Sequence, residues 1–293
     1  MSKLKAKPPE NIKREKPKVI VFGKAGAGKT WASLDFPNVY YIDTEGGATE
    51  SQYVAKLKKS GGVYLGKKDG SQDFETIIEQ VKALATEKHN YKTLVIDSLS
   101  NVFDIEVTKE LERLTLAKTK IEFSIEKKPA VKFSKRLVGW LEQLDMNVIL
   151  ICHSADEYES VNGKNEKVGE TYDGWKKLEY LLQLCLHVTK QGDSRKARVR
   201  KTRIAGFKDN EVINWSYEEF ANRLGRDLLE SEAKPVVLIT PEQIAEITRL
   251  LSVVKLGDSA ADKRIEDIRE NLDEIDTEKA QNVITYLTKK LGV

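Results

Sequence analysis

The sequence is short of cysteine, of long apolar runs and of net charge. Its two cysteines, Cys152 and Cys185, both fall in apolar strand-like segments with no second Cys or His at ligand spacing. That argues against a disulfide framework or a metal site and makes them small buried hydrophobes. No stretch approaches the roughly 18 consecutive apolar residues of a membrane span, and the opening MSKLKAKPPENIKREKPK has no apolar core and no cleavage site. A cytoplasmic protein without a membrane partner is the expectation. Lys and Arg number 49 against 46 Asp and Glu, a formal charge of +3, so an anionic partner needs a local patch rather than a globally basic surface. What the chain has in quantity is apolar content, 40% of its 293 residues. That is enough for a real core and excludes wholesale disorder.

Residues 1–16 are Lys, Pro and Glu with almost nothing apolar and read as a flexible basic tail. From Lys18 the pattern changes. Short β-branched runs, KVIVFG (18–23), VYYID (39–43), TLVID (93–97), NVILICH (147–153) and LLQLCLHV (181–188), alternate with helical stretches. Runs apolar throughout are what a parallel sheet covered on both faces requires, so the fold class is α/β. Ile77, Ile78, Val81 and Leu84 form one helical stripe and Leu137, Trp140, Leu141 and Leu144 another. The ATPase-sized core is expected over 17–229 and a linker over 230–239. The stretch 240–293 reads as a three-helix unit, opened by a Thr240-Pro241-Glu242-Gln243 capping box.

The strongest motif is GKAGAGKT, residues Gly23, Lys24, Ala25, Gly26, Ala27, Gly28, Lys29 and Thr30, between a strand and a helical segment beginning at Trp31. Glycines let such a loop curl so that successive backbone N–H groups face phosphate oxygens. Lys29 would then reach the β- and γ-phosphates of ATP and the Thr30 hydroxyl would ligate Mg2+. A second metal-holding carboxylate should end a neighbouring buried strand, and Asp97 is the one charge in TLVIDS. A helix-capping role is its alternative. Another strand ends in YYIDTEG, where Asp43 and Glu45, one residue apart, share a face. Both could look toward the nucleotide, and Glu45 is the candidate base for the attacking water.

GKAGAGKT, then YIDTEG, then VIDS resembles the RecA-like recombinase superfamily over residues 17–208. The resemblance implies a RecA-like P-loop core, with the Glu of the DTE tripeptide, Glu45, as catalytic base. It implies a γ-phosphate sensor at the end of NVILICHS, where His153 stands in place of the family's usual Gln. It also implies a trans-acting basic pair, Lys201 and Arg203 in RVRKTRIAGF, reaching the nucleotide of a neighbouring copy in a ring or filament. A solvated basic edge strand is the alternative for that pair. Two segments fall where such proteins place DNA-binding loops. In 115–132, Lys118, Lys120, Lys127, Lys128 and Lys132 interleave with Phe123, a mixture suited to single-stranded DNA. The other, 154–175, is acidic in its first half. The short polar N-terminus and the lack of zinc-binding cysteines depart from filament-forming relatives. In this the chain is similar to compact phage nucleotide-binding proteins, including the Sak-type single-strand annealing ATPases that work with a single-strand-binding protein.

The implied function is a Mg2+-dependent ATPase that binds single-stranded DNA and promotes annealing or strand exchange in phage-type recombination, in the host cytoplasm if phage-encoded. A single-strand-binding protein is the partner expected at the C-terminal unit. The alternative is a helicase loader or assembly ATPase acting on a protein partner; a small-molecule P-loop kinase fits less well, since no arginine-rich lid is evident. Charge is also segregated. Cations gather in the tail, at 118–132 and at 190–208, and acids at 154–159 and 258–278, so the small total conceals a basic core beside an acidic accessory unit.

Overall fold

The computed structural model describes residues 15–161, 163–269 and 272–291; most of the basic tail lies outside them. Their contacts form two compact units. The larger runs to residue 233 without 84–88, and the smaller comprises 84–88 and the residues from 234 onward.

In chain order the larger unit holds β1 (Lys18–Phe22), α1 (Lys29–Ser33), β2 (Val39–Asp43), α2 (Ser51–Ser60), β3 (Val63–Leu65), α3 (Phe74–Thr86, its last turn assigned to the smaller unit), β4 (Thr93–Asp97) and α4 (Leu99–Leu116). It continues with α5 (Lys128–Gln143), β5 (Asn147–Cys152), β6 (Ser154–Val161), β7 (Lys164–Tyr172), α6 (Leu178–Leu181), β8 (Leu184–Gln191), β9 (Ser194–Thr202), β10 (Val212–Asn214), α7 (Tyr217–Leu224) and α8 (Arg226–Leu229). Eight strands make one sheet in the order β10-β9-β8-β1-β5-β4-β2-β3. The six from β8 to β3 are parallel, while β9 and β10 add antiparallel to one side. Every residue of β1, β4 and β5 is buried, as strands covered on both faces must be. The α/β class with a mostly parallel sheet flanked by helices is therefore the observed one.

The chain order turns around β1. From β1 it crosses to β2 on one side, and from β5 it returns past β1 to β8 on the other. In open α/β sheets such a reversal leaves a crevice at the carboxyl ends of the strands, where ligands bind. GKAGAGKT leaves β1 at that end.

Several expectations shift. Lys16, given to the tail, is 3% exposed; its Nζ donates to the carbonyls of Asp145 (3.0 Å) and Ser231 (2.8 Å), hydrogen bonds that hold a buried ammonium. The strand expected at 181–188 starts at Leu184, because α6 runs through Leu181. The 154–175 segment, which falls where the resemblance places a DNA-binding loop, is through Tyr172 an antiparallel β6–β7 hairpin.

The smaller unit has α9 (Pro241–Val253), α10 (Ala260–Arg269) and α11 (Thr277–Leu291) around Ile247, Leu250, Ile265, Ala280, Val283 and Leu287. The capping box forms, Thr240 Oγ1 accepting from Gln243 N at 3.2 Å and Gln243 Oε1 from Thr240 N at 3.2 Å. The second stripe does not stay one helix: α10 stops at Arg269 and Leu272–Glu274 is a 3-10 turn. The expected linker also ends early, since Ile239 is buried in this core and its N–H donates to Ile275 O at 2.9 Å.

Candidate nucleotide site

The loop Gly23–Gly28 follows β1 directly, and α1 begins at Lys29. Gly28 takes φ +87°, and Gly23 passes so close to β8 that a Cβ there would lie 2.2 Å from Val188 O, so neither position accepts a side chain. Lys29 Nζ folds back over the loop, donating to Gly23 O (2.8 Å) and Lys24 O (3.1 Å). Burial pulls its ammonium below the ordinary lysine range, while Asp97 and Glu45 pull the other way.

Thr30 Oγ1 donates to Asp97 Oδ2 at 2.5 Å, and Tyr41 OH, from β2, donates to the same oxygen at 3.1 Å. Asp97 ends β4. The cap of α4 is not Asp97 but Ser98, whose Oγ accepts from Asn101 N at 3.2 Å, so the capping alternative for Asp97 falls away. Burial is the main reason that the Asp97 carboxyl is pushed up to about 6, helped by Glu45 and opposed by Thr30 and Tyr41. A carboxylate this deep beside a threonine hydroxyl is a donor set in need of a cation. The pair fits the Mg2+ that the motif implies.

Asp43 and Glu45 part company. Strand β2 ends at Asp43 and the chain turns, so the alternation that would place both on one face no longer applies. Asp43 is buried and accepts from the N–H groups of Glu45 (3.1 Å), Gly46 (2.7 Å) and Ala48 (2.7 Å), so it shapes the turn instead of facing the nucleotide. Glu45 points into the cleft. Its Oε1 accepts from Ser98 Oγ at 2.5 Å and from His153 Nε2 at 2.6 Å. Burial raises its carboxyl, but these two bonds and the Lys29 charge outweigh that and hold it below the usual range. His153, read as a phosphate sensor, is thus bonded to the candidate base; its backbone N–H donates to Ser100 Oγ at 3.0 Å and its carbonyl accepts from Asp173 N at 2.9 Å. A cleft of about 480 Å³ brings the loop from Gly23 to Gly26 together with Lys29, Thr30, Glu45, Asp97 and His153.

The remaining candidates lie elsewhere. Lys24 lines this cleft and also pairs with Glu170 of the hairpin at 3.1 Å. Ala25 belongs to the same cleft, and Ala27 is buried beneath the loop. Trp31 sits on the far flank of the P-loop. Lys201 pairs across the sheet with Cys185, level with Ile20 of β1, and its Nζ donates to Leu182 O. Arg203 follows β9, with its N–H on Gln183 O. This register carries both away from the carboxyl ends of the strands, so neither meets the chain's own P-loop. Between α4 and α5, Lys118, Lys120, Phe123 and Lys127 lie in a short connection, with Phe123 98% exposed. Lys128 and Lys132 are in α5 rather than in a loop.

Four contributors went unread in the sequence: Tyr41, Thr44, Ser98 and Ser100. Tyr41 carried a weak signal, as a hydroxyl in a mostly buried strand, but Tyr40 beside it carries the same one. Thr44 Oγ1 accepts from Ser98 N at 2.9 Å, a link that only strand pairing creates.

A profile of the AAA domain family matches residues 15–211, well over half of the chain. Among solved structures, the RadB recombinase is similar at 16% identity with a TM-score of 0.43, the likeness covering 67% of this chain and 84% of that one. No curated protein matches the chain significantly. With a P-loop, a metal-fitting Thr30–Asp97 pair and a buttressed glutamate at the carboxyl ends of a parallel sheet, the chain belongs to the AAA domain family and its core is a P-loop ATPase.

Proposed function

We propose that the protein is a Mg2+-dependent ATPase that binds single-stranded DNA and promotes strand annealing or exchange in phage-type homologous recombination. The observation that carries the hydrolytic part is the Glu45 carboxylate, held by Ser98 and His153 in the cleft shared by Lys29, Thr30 and Asp97. Loop N–H groups and Lys29 hold the triphosphate, and Thr30 and Asp97 hold the metal. Bound Mg2+ supplies charge neutralisation on the phosphate oxygens. Glu45, ionised and fixed by two donors, orients a water molecule and accepts its proton. His153 keeps the carboxylate in place, and its backbone links the cleft to the base of the β6–β7 hairpin.

The DNA part of the reading rests on the connection after α4. Leu116 and Phe123 are exposed there beside Lys118 and Lys120, and Lys118, Phe123 and Ser124 adopt positive φ. An exposed aromatic among lysines offers a stacking platform with phosphate contacts. Lys201 and Arg203, remote from their own P-loop, are assigned to the nucleotide of a second copy in a homo-oligomer, and the C-terminal unit to a single-strand-binding protein.

The test is ATP hydrolysis with and without single-stranded DNA, with annealing followed in the same samples. Turnover that rises with DNA and vanishes in Lys29→Ala is expected. Full turnover in Lys29→Ala, or no hydrolysis with any nucleic acid, refutes the scheme.

A further inference from the structure

On the other flank of the P-loop lies a second cleft, of about 190 Å³, lined by Gly28, Thr30, Trp31, Gln52, Tyr53 and Arg195. Arg195 comes from the start of β9, directly after the tight turn from β8. Because β9 runs antiparallel to β8, its first residues stand at the carboxyl end of the parallel strands, the end from which Lys201 and Arg203 are carried away. Arg195 is thus the β9 cation that reaches the chain's own P-loop.

Its placement is close and fixed. A Cβ on Gly28 would lie 2.2 Å from Arg195 Nε, so the loop accepts this arginine only because Gly28 has no side chain. Trp215, 2% exposed, ties the two elements together: its backbone N–H donates to Arg195 O at 2.9 Å and its Nε1 to Lys29 O at 3.3 Å. Yet Arg195 Nε is buried and has no hydrogen-bond partner among the described residues. A buried donor of a cation left unpaired is costly. The guanidinium carbon lies 5.8 Å from the Trp31 ring centroid, and Lys56 Nζ lies 4.0 Å from it. Lys56 is held below the ordinary lysine range by burial, with the Arg195 charge adding to that and Asp35 opposing it. Lys56 is already paired with Asp35 at 2.5 Å and donates to Trp31 O at 2.7 Å, so the charge left over beside the ring and the phosphate loop is that of Arg195, and it calls for an anionic, ring-bearing ligand.

The orientation of that ligand follows from the first cleft. Lys29, Asp97 and Glu45 mark the γ-phosphate end, so the α-phosphate and the nucleoside extend past Thr30 toward Trp31. We infer that Arg195 is a nucleotide-contact residue supplied in cis by the β8–β9 hairpin, closing with Trp31 on the α-phosphate and base of the bound nucleotide. The inference rests on the P-loop holding a nucleotide, and the test separates the two.

Binding of ATP, ADP and inorganic tripolyphosphate, each with Mg2+, is measured by calorimetry on the full chain. Arg195→Ala is expected to weaken ATP and ADP about ten- to hundred-fold, as for loss of a charged hydrogen bond, and tripolyphosphate, which offers the α-phosphate contact but no base, by a clearly smaller factor. Arg195→Lys recovers only part of the loss, since lysine lacks the planar fork. Lys29→Ala weakens all three ligands. Should the alanine variant unfold, Arg195→Met, which keeps the stem packed on Gly28, carries the same comparison. ATP binding within about two-fold of wild type in the Arg195 variants, or equal losses for ATP and tripolyphosphate, overturns the inference while the P-loop reading stands. Absence of all binding in the wild-type protein overturns both.

Discussion

Replacing Asp97 with asparagine should make the nucleotide-free protein relatively more stable as pH rises, while ending its metal-dependent chemistry. The carboxyl titrates near 3.8 in an ordinary setting and at about 6 in the folded chain, chiefly because it is buried. Between those values the folded state holds a proton that the unfolded state has released. The stabilisation is complete below the unfolded value and is lost as pH rises through about 6. The difference of roughly 2 pH units, at about 1.4 kcal/mol each, is about 3 kcal/mol at neutral pH. Asparagine cannot ionise, and its carbonyl still accepts from Thr30 and Tyr41, although its NH2 group brings a separate, pH-independent cost. The informative quantity is therefore the difference in unfolding free energy between Asp97→Asn and wild type, followed by urea unfolding in the presence of a chelator. From about pH 4 to about pH 7.5 that difference should shift in favour of the variant by roughly 2–3 kcal/mol. Mg2+ with nucleotide should then stabilise the wild type and not the variant. A difference that does not change with pH, or changes in the opposite direction, refutes the assignment of Asp97 as a strained carboxylate awaiting a cation.

Glu45 in the cleft and the connection after α4 carry the remaining expected outcomes. Glu45→Gln should lower kcat by about 10²- to 10⁴-fold, the range for loss of a positioned general base, while ATP affinity measured by calorimetry changes little. Because hydrogen bonds hold the Glu45 carboxyl below its usual range despite burial, wild-type turnover should show no acid loss from this group until pH drops under the ordinary carboxylate range. Phe123→Ala should weaken single-stranded DNA by about 1–3 kcal/mol, the value of one base stack, with basal ATPase intact. Lys118→Ala should instead lower the salt slope by about one, and fluorescence anisotropy across a salt series separates the two effects.

The strands that build the sheet interior were legible because a run covered on both faces must be apolar through its middle, as residues 19–22, 94–96 and 148–152 are, with polar residues kept to the ends of strands buried residue by residue. The edges were harder to read. Strand β3 has three residues, two of them exposed, and carries no burial pattern to detect. The β6–β7 hairpin is largely exposed in β7 and rich in charge, so its pairing is set by backbone hydrogen bonds with a Lys167–Asp156 ion pair across the strands, not by hydrophobic alternation, while Glu157–Arg200 and Lys24–Glu170 contacts tie it to β9 and the P-loop. In the smaller unit the stripe Ile265, Ile268, Leu272 and Ile275 had the right period but lacked the backbone: the core takes Ile275 from beyond the helix.

The site divides along the same line, between what local sequence dictates and what register decides. Lys29, Thr30 and Asp97 follow from loop chemistry and from the cost of an isolated buried carboxylate, so they could be named from short segments. Glu45 could be named too, but not its environment, because Ser98 and His153 reach it across sequence separations of 53 and 108 residues. The basic strand shows the limit most clearly. Reading RVRKTR as a face of alternating cations selects Lys201 and Arg203, whereas the antiparallel pairing with β8 brings Arg195, at the other end of the same strand, to the P-loop. Strand direction decides which end of a charged strand meets phosphate, and direction is a property of the assembled sheet. Which cation of β9 reaches the chain's own P-loop is therefore a consequence of topology, and Gly28, lacking a side chain, is the local residue that permits the contact.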